Sequence, residues 1–197
     1  MTIFLLPGMG ATAEMYPDPW RKLPNVHPLE WPQDFQGTTL TNLANHLIKK
    51  HEISSSDVVI GSSLGGMVAA EISNLIGLRH CILIGSAIHP TEIPSLYRRI
   101  YPLIDFIPLK LSQKIANRTP LLTARMFAQS SPDFICLTTH AIFKWRGLQS
   151  SENLFRIHGS RDLMIPHPEH THLTLTGGHL IATTHAEECC IAIEKIL

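Results

Sequence analysis

Three residues that lie far apart in the chain have the side chains needed for nucleophilic catalysis: Ser63, Asp162 and His179. Ser63 is the centre of a G-x-S-x-G pattern that starts at Gly61, whereas the neighbouring Ser62 lacks glycine at both flanking places. A serine hydroxyl is a weak nucleophile at neutral pH, so a base must take its proton during attack and later return it to the leaving group. We expect Ser63 to be the nucleophile; the alternative is a glycine-rich turn that only joins a strand to a helix.

The best placed base is His179, which alone among twelve histidines follows a pair of glycines just after the last expected strand. A carboxylate on the other imidazole nitrogen would fix the tautomer and stabilise the imidazolium, and Asp162 is the expected acid. The alternative for Asp162 is a turn or a helix cap. Asp105 and Asp133 are the other candidates for the acid, but they do not follow a predicted sheet strand.

Acyl transfer also needs donors for the oxyanion that forms during attack. The helix that starts directly after Ser63 would direct the backbone N–H of Leu64 toward that charge. The second donor is expected in Pro7-Gly8-Met9-Gly10, a turn after the first strand whose glycines allow close backbone approach, and Met9 is the predicted residue.

These residues must be positioned by a layered fold, because strand and helix patterns alternate over the first part of the chain. Strands are predicted at 3–6, 57–62, 79–87, 154–158 and 171–176, with a weaker strand containing Pro28 at 25–31 near a sheet edge. Helices are predicted at 38–51, 64–76 and 183–197. The alternation favours one doubly wound α/β domain over residues 1–197, with a mostly parallel sheet and helices on both faces.

The alternation stops between Ile88 and Asn153, where helical segments punctuated by proline carry many apolar residues. This insertion follows the strand that ends at Ala87, so it leaves the carboxyl edge of the sheet, where ligands bind in such folds. We interpret it as a small helical lid over Ser63. The alternative is that most of its apolar residues complete the core.

Composition narrows the classes of partner. The 197 residues are 44% apolar, and sixteen basic residues balance sixteen acidic ones. The lack of a basic run argues against nucleic acid and anionic membrane surfaces, so the expected partner is a small molecule. The first residues lack the pattern of a signal peptide, and the four cysteines lack the spacing of a disulfide framework or a metal site, so a reducing, cytoplasmic location is expected.

A zinc site is the one metal alternative, because His167, His170 and His172 lie close to Glu169. The run crosses a proline loop into a strand rather than one rigid element, which disfavours defined coordination. We therefore expect no metal and no cofactor.

The chain resembles the α/β-hydrolases. Gly61-Ser62-Ser63-Leu64-Gly65 is similar to their nucleophile elbow, His158-Gly159-Ser160-Arg161-Asp162 to the loop that carries their acid, and Gly177-Gly178-His179-Leu180 to their histidine loop. The order serine, acid, histidine is also theirs. Two departures are that Pro7-Gly8 replaces the His-Gly with which their oxyanion loop often begins, and that the antiparallel hairpin before the first strand is missing, which implies a six-stranded sheet.

The resemblance implies a small carboxylesterase-like serine hydrolase that cleaves an ester through an acyl-serine intermediate. A non-catalytic ligand-binding protein of the same fold and a lyase using the same triad are the alternatives. A dehalogenase is disfavoured, because its nucleophile would be an aspartate in place of Ser63.

Overall fold

A computed structural model of the chain describes residues 1–33, 35–118 and 121–197. Its strands are Ile3–Leu6 (β1), Val26–Pro28 (β2), Val58–Ser62 (β3), His80–Ile84 (β4), Leu154–Gly159 (β5) and Leu173–Leu175 (β6). Its α-helices are Asp18–Arg21 (α1), Leu40–His51 (α2), Leu64–Ile76 (α3), Ser95–Ile100 (α4), Leu109–Ala116 (α5), Leu122–Gln129 (α6), Pro132–Lys144 (α7), Ile181–Thr184 (α8) and Ala186–Glu194 (α9). Short 3₁₀ helices span Ala13–Met15, Pro90–Glu92 and Tyr101–Phe106.

The six strands form one sheet in the order β2-β1-β3-β4-β5-β6, and every pair of neighbouring strands is parallel. The predicted doubly wound α/β fold with a six-stranded sheet is therefore confirmed. The weak strand lies at the edge, as expected, and is shorter than predicted. Edge strands tolerate proline because one side makes no ladder hydrogen bonds, which suits the position of Pro28.

Apolar side chains alternate between the two faces of the sheet and build a core on each. Phe4 and Leu6 of β1 face the core that contains α2, α3 and α7, and Ile3 and Leu5 face the core that contains α1, α8 and α9. Across the second core, the Trp20 indole Nε1–H donates to the Ala182 carbonyl oxygen at 2.7 Å. This bond joins α1 to α8 on one face of the sheet.

The segment between β4 and β5 is helical, as predicted, and its helices have two different environments. Phe134, Ala141 and Ile142 of α7 are buried in the core beside α2 and α3. The 3₁₀ helix Tyr101–Phe106 has no fully buried residue. The alternative interpretation, in which apolar residues of the insertion complete the core, therefore holds for α7. The part of the insertion before α7 is free to cover the carboxyl edge of the sheet.

The prediction of one continuous helix over residues 183–197 is wrong. α8 ends at Thr184, His185 has the non-helical angles φ −128° and ψ 40°, and α9 begins at Ala186. The hydroxyls of Thr183 and Thr184 make side-chain hydrogen bonds to the Met15 carbonyl and the His185 ring, both at 2.8 Å. The bond of Thr184 is local and competes with a continuous helix, the bond of Thr183 is tertiary, and apolar periodicity reveals neither.

All four cysteines are free thiols, and three of them are buried. None of the helices that the structure describes is long and apolar enough to cross a membrane.

Candidate active site

Ser63 lies at the sharp bend between β3 and α3. Its backbone has φ +52° and ψ −117°, a conformation that costs energy for a residue with a Cβ. Four hydrogen bonds hold this backbone. Ser63 N–H donates to the Ile84 carbonyl at 3.1 Å, and the Ser63 carbonyl accepts from Gly66 N–H at 3.0 Å, Met67 N–H at 3.3 Å and the Ser86 hydroxyl at 2.7 Å. The bend therefore presents the Ser63 side chain at the carboxyl end of the central strand.

The glycines around Ser63 are required by close backbone contacts. A Cβ on Gly61 would lie 2.1 Å from the carbonyl carbon of Gly65, and a Cβ on Gly65 would lie 2.3 Å from the Leu6 carbonyl oxygen. Real Cβ atoms do not approach backbone atoms so closely. The glycine spacing that singled out Ser63 in the sequence thus has a steric cause.

The structure brings Ser63, His179 and Asp162 together in one chain of hydrogen bonds. His179 Nε2 is 2.9 Å from Ser63 Oγ, and His179 Nδ1 is 2.8 Å from Asp162 Oδ2. Because an ionised carboxylate only accepts, the proton on Nδ1 is directed to Asp162, and Nε2 is left to accept from the serine hydroxyl. This is the arrangement that a general base needs before attack.

Two loops at the end of β5 and β6 bring the acid to the histidine. The Ser160 and Arg161 N–H groups donate to the Leu175 and Gly177 carbonyls, both at 2.8 Å. A Cβ on Gly159 would lie 2.4 Å from the Gly178 carbonyl oxygen, so the approach of the two loops depends on this glycine. The glycine pair that marked the histidine in the sequence therefore lies at the contact between the loops.

The Asp162 carboxylate is buried and surrounded by donors. Its Oδ1 accepts from the Met164 and Ile165 N–H groups at 2.9 and 3.0 Å. Burial alone would raise the pKa of Asp162, but the hydrogen bonds from His158 and His179, the nearby charge of His179 and the Ile165 amide outweigh it, so the pKa lies well below its usual range. Asp162 is therefore ionised at neutral pH.

His158 is a partner of the acid that sequence reasoning missed. Its ring is fully buried, Nε2 lies 2.9 Å from the Ile165 carbonyl oxygen, and the same nitrogen is 3.3 Å from Asp162 Oδ2. Because a carbonyl only accepts, Nε2 carries a proton. The signal in the sequence was a histidine in an apolar strand four residues before Asp162.

The other candidate acids lie elsewhere. Asp105 contacts His140 Nε2 at 3.0 Å, and Asp133 is in the first turn of α7. The zinc alternative gains no support, since within residues 1–33, 35–118 and 121–197 no group of three His, Cys, Asp or Glu side chains is arranged to hold a metal ion. His167 Nε2 instead contacts the Thr174 hydroxyl at 2.8 Å, and His172 Nδ1 accepts from the Arg156 N–H at 3.1 Å.

The expected oxyanion donors are the backbone N–H groups of Met9 and Leu64. Leu64 begins α3 and Met9 lines the same cavity as Ser63, and neither backbone N–H donates to a described protein acceptor. The Met9 loop is held by Gly8, whose N–H donates to Met15 Sδ at 3.2 Å and whose carbonyl accepts from Trp31 Nε1–H at 3.0 Å. The loop is therefore fixed while the Met9 amide stays free.

Ser63 and His179 open into a cavity of about 640 Å³, a size typical of small-molecule sites. Its walls come from α3, α7 and the 3₁₀ helix Tyr101–Phe106, through apolar residues such as Met67, Ile142 and Ile104. Of the described residues that line it, none is Asp, Glu, Lys or Arg. The cavity thus suits an uncharged, apolar group beside the serine.

Comparison with solved structures identifies the fold. The chain has a TM-score of 0.74 and 14% identity to an enol-lactonase from Burkholderia xenovorans LB400, covering 98% of this chain and 89% of that one. It has a TM-score of 0.71 and 15% identity to a thermophilic esterase from Thermogutta terrifontis, covering 99% and 88%. The chain has the α/β-hydrolase fold.

A further α/β-hydrolase neighbour is the RedJ thioesterase of the prodiginine biosynthetic pathway in Streptomyces coelicolor, with a TM-score of 0.70, 14% identity and coverage of 100% and 90%. The model of the Uncharacterised protein family (UPF0227) matches residues 22–97, which include Ser63 and its flanking glycines. No curated protein sequence matches significantly. The comparisons therefore establish the α/β-hydrolase fold alone.

Within this α/β-hydrolase fold the thiols are poor candidates for a nucleophile. Burial raises the pKa of Cys81, Cys189 and Cys190 to about 12. A thiol is reactive as the thiolate, so these three groups are inert at neutral pH.

Proposed function

We propose that the protein is a serine hydrolase that cleaves a small carboxylic ester through an acyl-serine intermediate. The observation that carries the proposal is the continuous hydrogen-bond chain from Ser63 Oγ through His179 to Asp162, at the wall of an apolar cavity. The neighbours named as esterase, enol-lactonase and thioesterase support an acyl-transfer reaction.

In the first step, Ser63 Oγ attacks the carbonyl carbon of the ester while His179 Nε2 takes the hydroxyl proton. The Met9 and Leu64 amides stabilise the oxyanion of the tetrahedral intermediate. His179 then gives the proton to the alcohol oxygen, the carbon–oxygen bond to the alcohol breaks, and an acyl-serine remains. Water then gives a proton to His179 Nε2 and attacks the acyl carbon. The bond from that carbon to Ser63 Oγ breaks, His179 returns the proton to Oγ, and the carboxylic acid product leaves.

The acyl group is proposed to be apolar and of short to medium length. The cavity has room for such a group, and no charged side chain among its described lining residues would pair with an acyl carboxylate. The mechanism uses only groups of this chain, and the free cysteines support a reducing, cytoplasmic location.

A panel of uncharged esters with increasing acyl length tests the proposal. We expect measurable hydrolysis by the natural protein and a loss on the order of 10⁶-fold in kcat for Ser63→Ala, because the nucleophile is removed. Ser62→Ala is the matched control, since it deletes the neighbouring hydroxyl, and it should retain most of the activity. Tight binding without turnover would favour the ligand-binding alternative, and cleavage without uptake of water would favour the lyase.

A further inference from the structure

The mouth of the cavity is surrounded by large apolar side chains that face solvent. Ile100, Leu103, Ile107 and Met164 line the cavity and are nevertheless 45%, 57%, 46% and 53% exposed. They therefore form its rim. Next to the rim, Phe106 is 81% exposed. An exposed apolar surface of this kind, beside a binding site, is typical of contact with a partner.

Helix α5 begins two residues after the rim residue Ile107 and also exposes apolar side chains. Its Leu109 and Gln113 are buried against the protein. On the opposite side, Leu111 and Ile115 are 56% and 61% exposed, and their spacing of four places them on one face. A helix that only packs on a core has its apolar residues on one side, so this outer apolar stripe is unexplained by the fold.

Cations accompany the outer stripe. Lys110 and Lys114 are exposed on α5 next to this stripe, Arg118 is exposed just after the helix ends at Ala116, and none of the three makes an ion pair with a carboxylate in the part of the chain that the structure describes. Residues 93–130 contain six Lys and Arg but a single acid, Asp105, although the whole chain has no net charge. That acid is bound to His140 at 3.0 Å.

We propose that this docking face, formed by the rim residues, Phe106 and the outer side of α5, binds an anionic lipid surface. Apolar side chains flanked by Lys and Arg bind at the lipid interface, where the chains enter the headgroup region and the cations meet negative charge. The balanced charge and the lack of a basic run argued against such binding, but they conceal the excess of cations in residues 93–130. The docked protein would hold its cavity mouth against the lipid.

The charge argues against a second copy of the chain as the occupant. A two-fold symmetric contact would place the same face of each copy together, and Lys110 and Lys114 would then meet the cations of the partner. An acidic protein could satisfy the charge, but a fluid lipid surface accommodates both the scattered apolar side chains and the flexible lysines without a shaped groove.

Co-sedimentation with vesicles tests the proposal without an activity readout. We expect the protein to bind phosphatidylcholine vesicles that contain phosphatidylglycerol at least ~10-fold more tightly than vesicles of phosphatidylcholine alone, and added salt should weaken the binding. Lys110→Glu with Lys114→Glu should lower the affinity at least ~10-fold, as should Leu111→Gln with Ile115→Gln. These four side chains are exposed, so all variants should keep the hydrolysis of a soluble ester.

The matched control is Lys49→Glu with Lys50→Glu, which makes the same charge change at exposed positions of α2 and should leave vesicle binding unchanged. Ser63→Ala should bind vesicles as the natural protein does, so this test is separate from the proposed hydrolysis. The proposal is overturned if the protein shows no preference for the anionic vesicles, or if the control variant loses vesicle binding to the same extent. It is equally overturned if the protein binds polyglutamate more tightly than the vesicles. It is also overturned by a dimer that Leu111→Gln with Ile115→Gln converts to a monomer.

Discussion

Asp162 sets the direction of proton transfer in the proposed mechanism, because its carboxylate fixes the proton on His179 Nδ1. In Asp162→Asn the amide can donate to Nδ1 and favour the tautomer whose Nε2 carries the proton. We expect kcat for ester hydrolysis to fall on the order of 10⁴-fold, as for the corresponding change in other triads. Asp105→Asn is the matched control and should keep the rate, since Asp105 contacts His140. A fully active Asp162→Asn enzyme would assign the acid to another residue.

The lowered pKa of Asp162 makes part of the stability depend on pH. An unfolded aspartate has a pKa of ~3.9, and the folded value lies well below it, so the unfolded state takes up a proton first as the pH falls. The stabilisation is complete above the unfolded value and is lost as the pH drops toward the folded one. Urea unfolding at several pH values should show the free-energy difference between the natural protein and Asp162→Asn shrinking below pH ~4. A free-energy difference that is constant through this pH range would contradict the lowered pKa of Asp162.

The sequence predicted the side chains of the site better than their surroundings. Ser63 and His179 carry local glycine patterns with steric causes, so they could be identified without coordinates. The part played by His158 could not, because it depends on the Ile165 loop folding back over β5 to within 2.9 Å of the ring. Such a contact joins residues seven apart in a loop and leaves no periodic pattern.

At the scale of the elements, the bend between β3 and α3 depends on Gly61. We expect Gly61→Ala to lower the free energy of unfolding by about 4 kcal/mol or more, because the new Cβ would overlap the backbone of Gly65. The matched change is Gly77→Ala at the end of α3, where φ is +63° and no atom lies within 4 Å of the added Cβ. It should cost only about 1 kcal/mol, from the left-handed backbone alone. Urea unfolding of both variants measures the two losses of unfolding free energy, and equal losses would contradict the expected order.

Element boundaries were predictable where local chemistry marks them. Helix α3 begins and ends where expected, since the bend at Ser63 fixes its start and Gly77 adopts a left-handed conformation at its end. The break between α8 and α9 was not predicted, because it lies at a tertiary hydrogen bond of Thr183 and a local one of Thr184. Apolar spacing continues across that break unchanged.

At the scale of the whole molecule, the helical insertion both completes a core and roofs the cavity. Its apolar composition could be read from the sequence, but α7 and the 3₁₀ helix Tyr101–Phe106 have similar residues and different surroundings. Which segment lies over Ser63 depends on how the chain returns to β5. The balanced composition of the whole chain also conceals that residues 93–130 carry six Lys and Arg and one acid.

The roof should limit the length of the acyl group. Each buried methylene contributes ~0.8 kcal/mol, so kcat/KM should rise by up to several-fold for each added acyl carbon until the cavity is full, and then fall. Ile104→Trp adds volume to the cavity wall and should move the maximum to a shorter acyl chain. Leu96→Trp is the control, because Leu96 is exposed and does not line the cavity. Rates that climb steadily to long acyl chains in Ile104→Trp would place the acyl group elsewhere.

The most direct test of the account is labelling with a fluorophosphonate, followed by mass spectrometry to locate the adduct. A serine activated by a histidine reacts with this probe, whereas an ordinary hydroxyl does not. We predict one adduct on Ser63 in the natural protein and in Ser62→Ala, and none in Ser63→Ala or His179→Ala. An adduct on another residue, or none in the folded natural protein, would contradict the claim that Ser63 is an activated nucleophile.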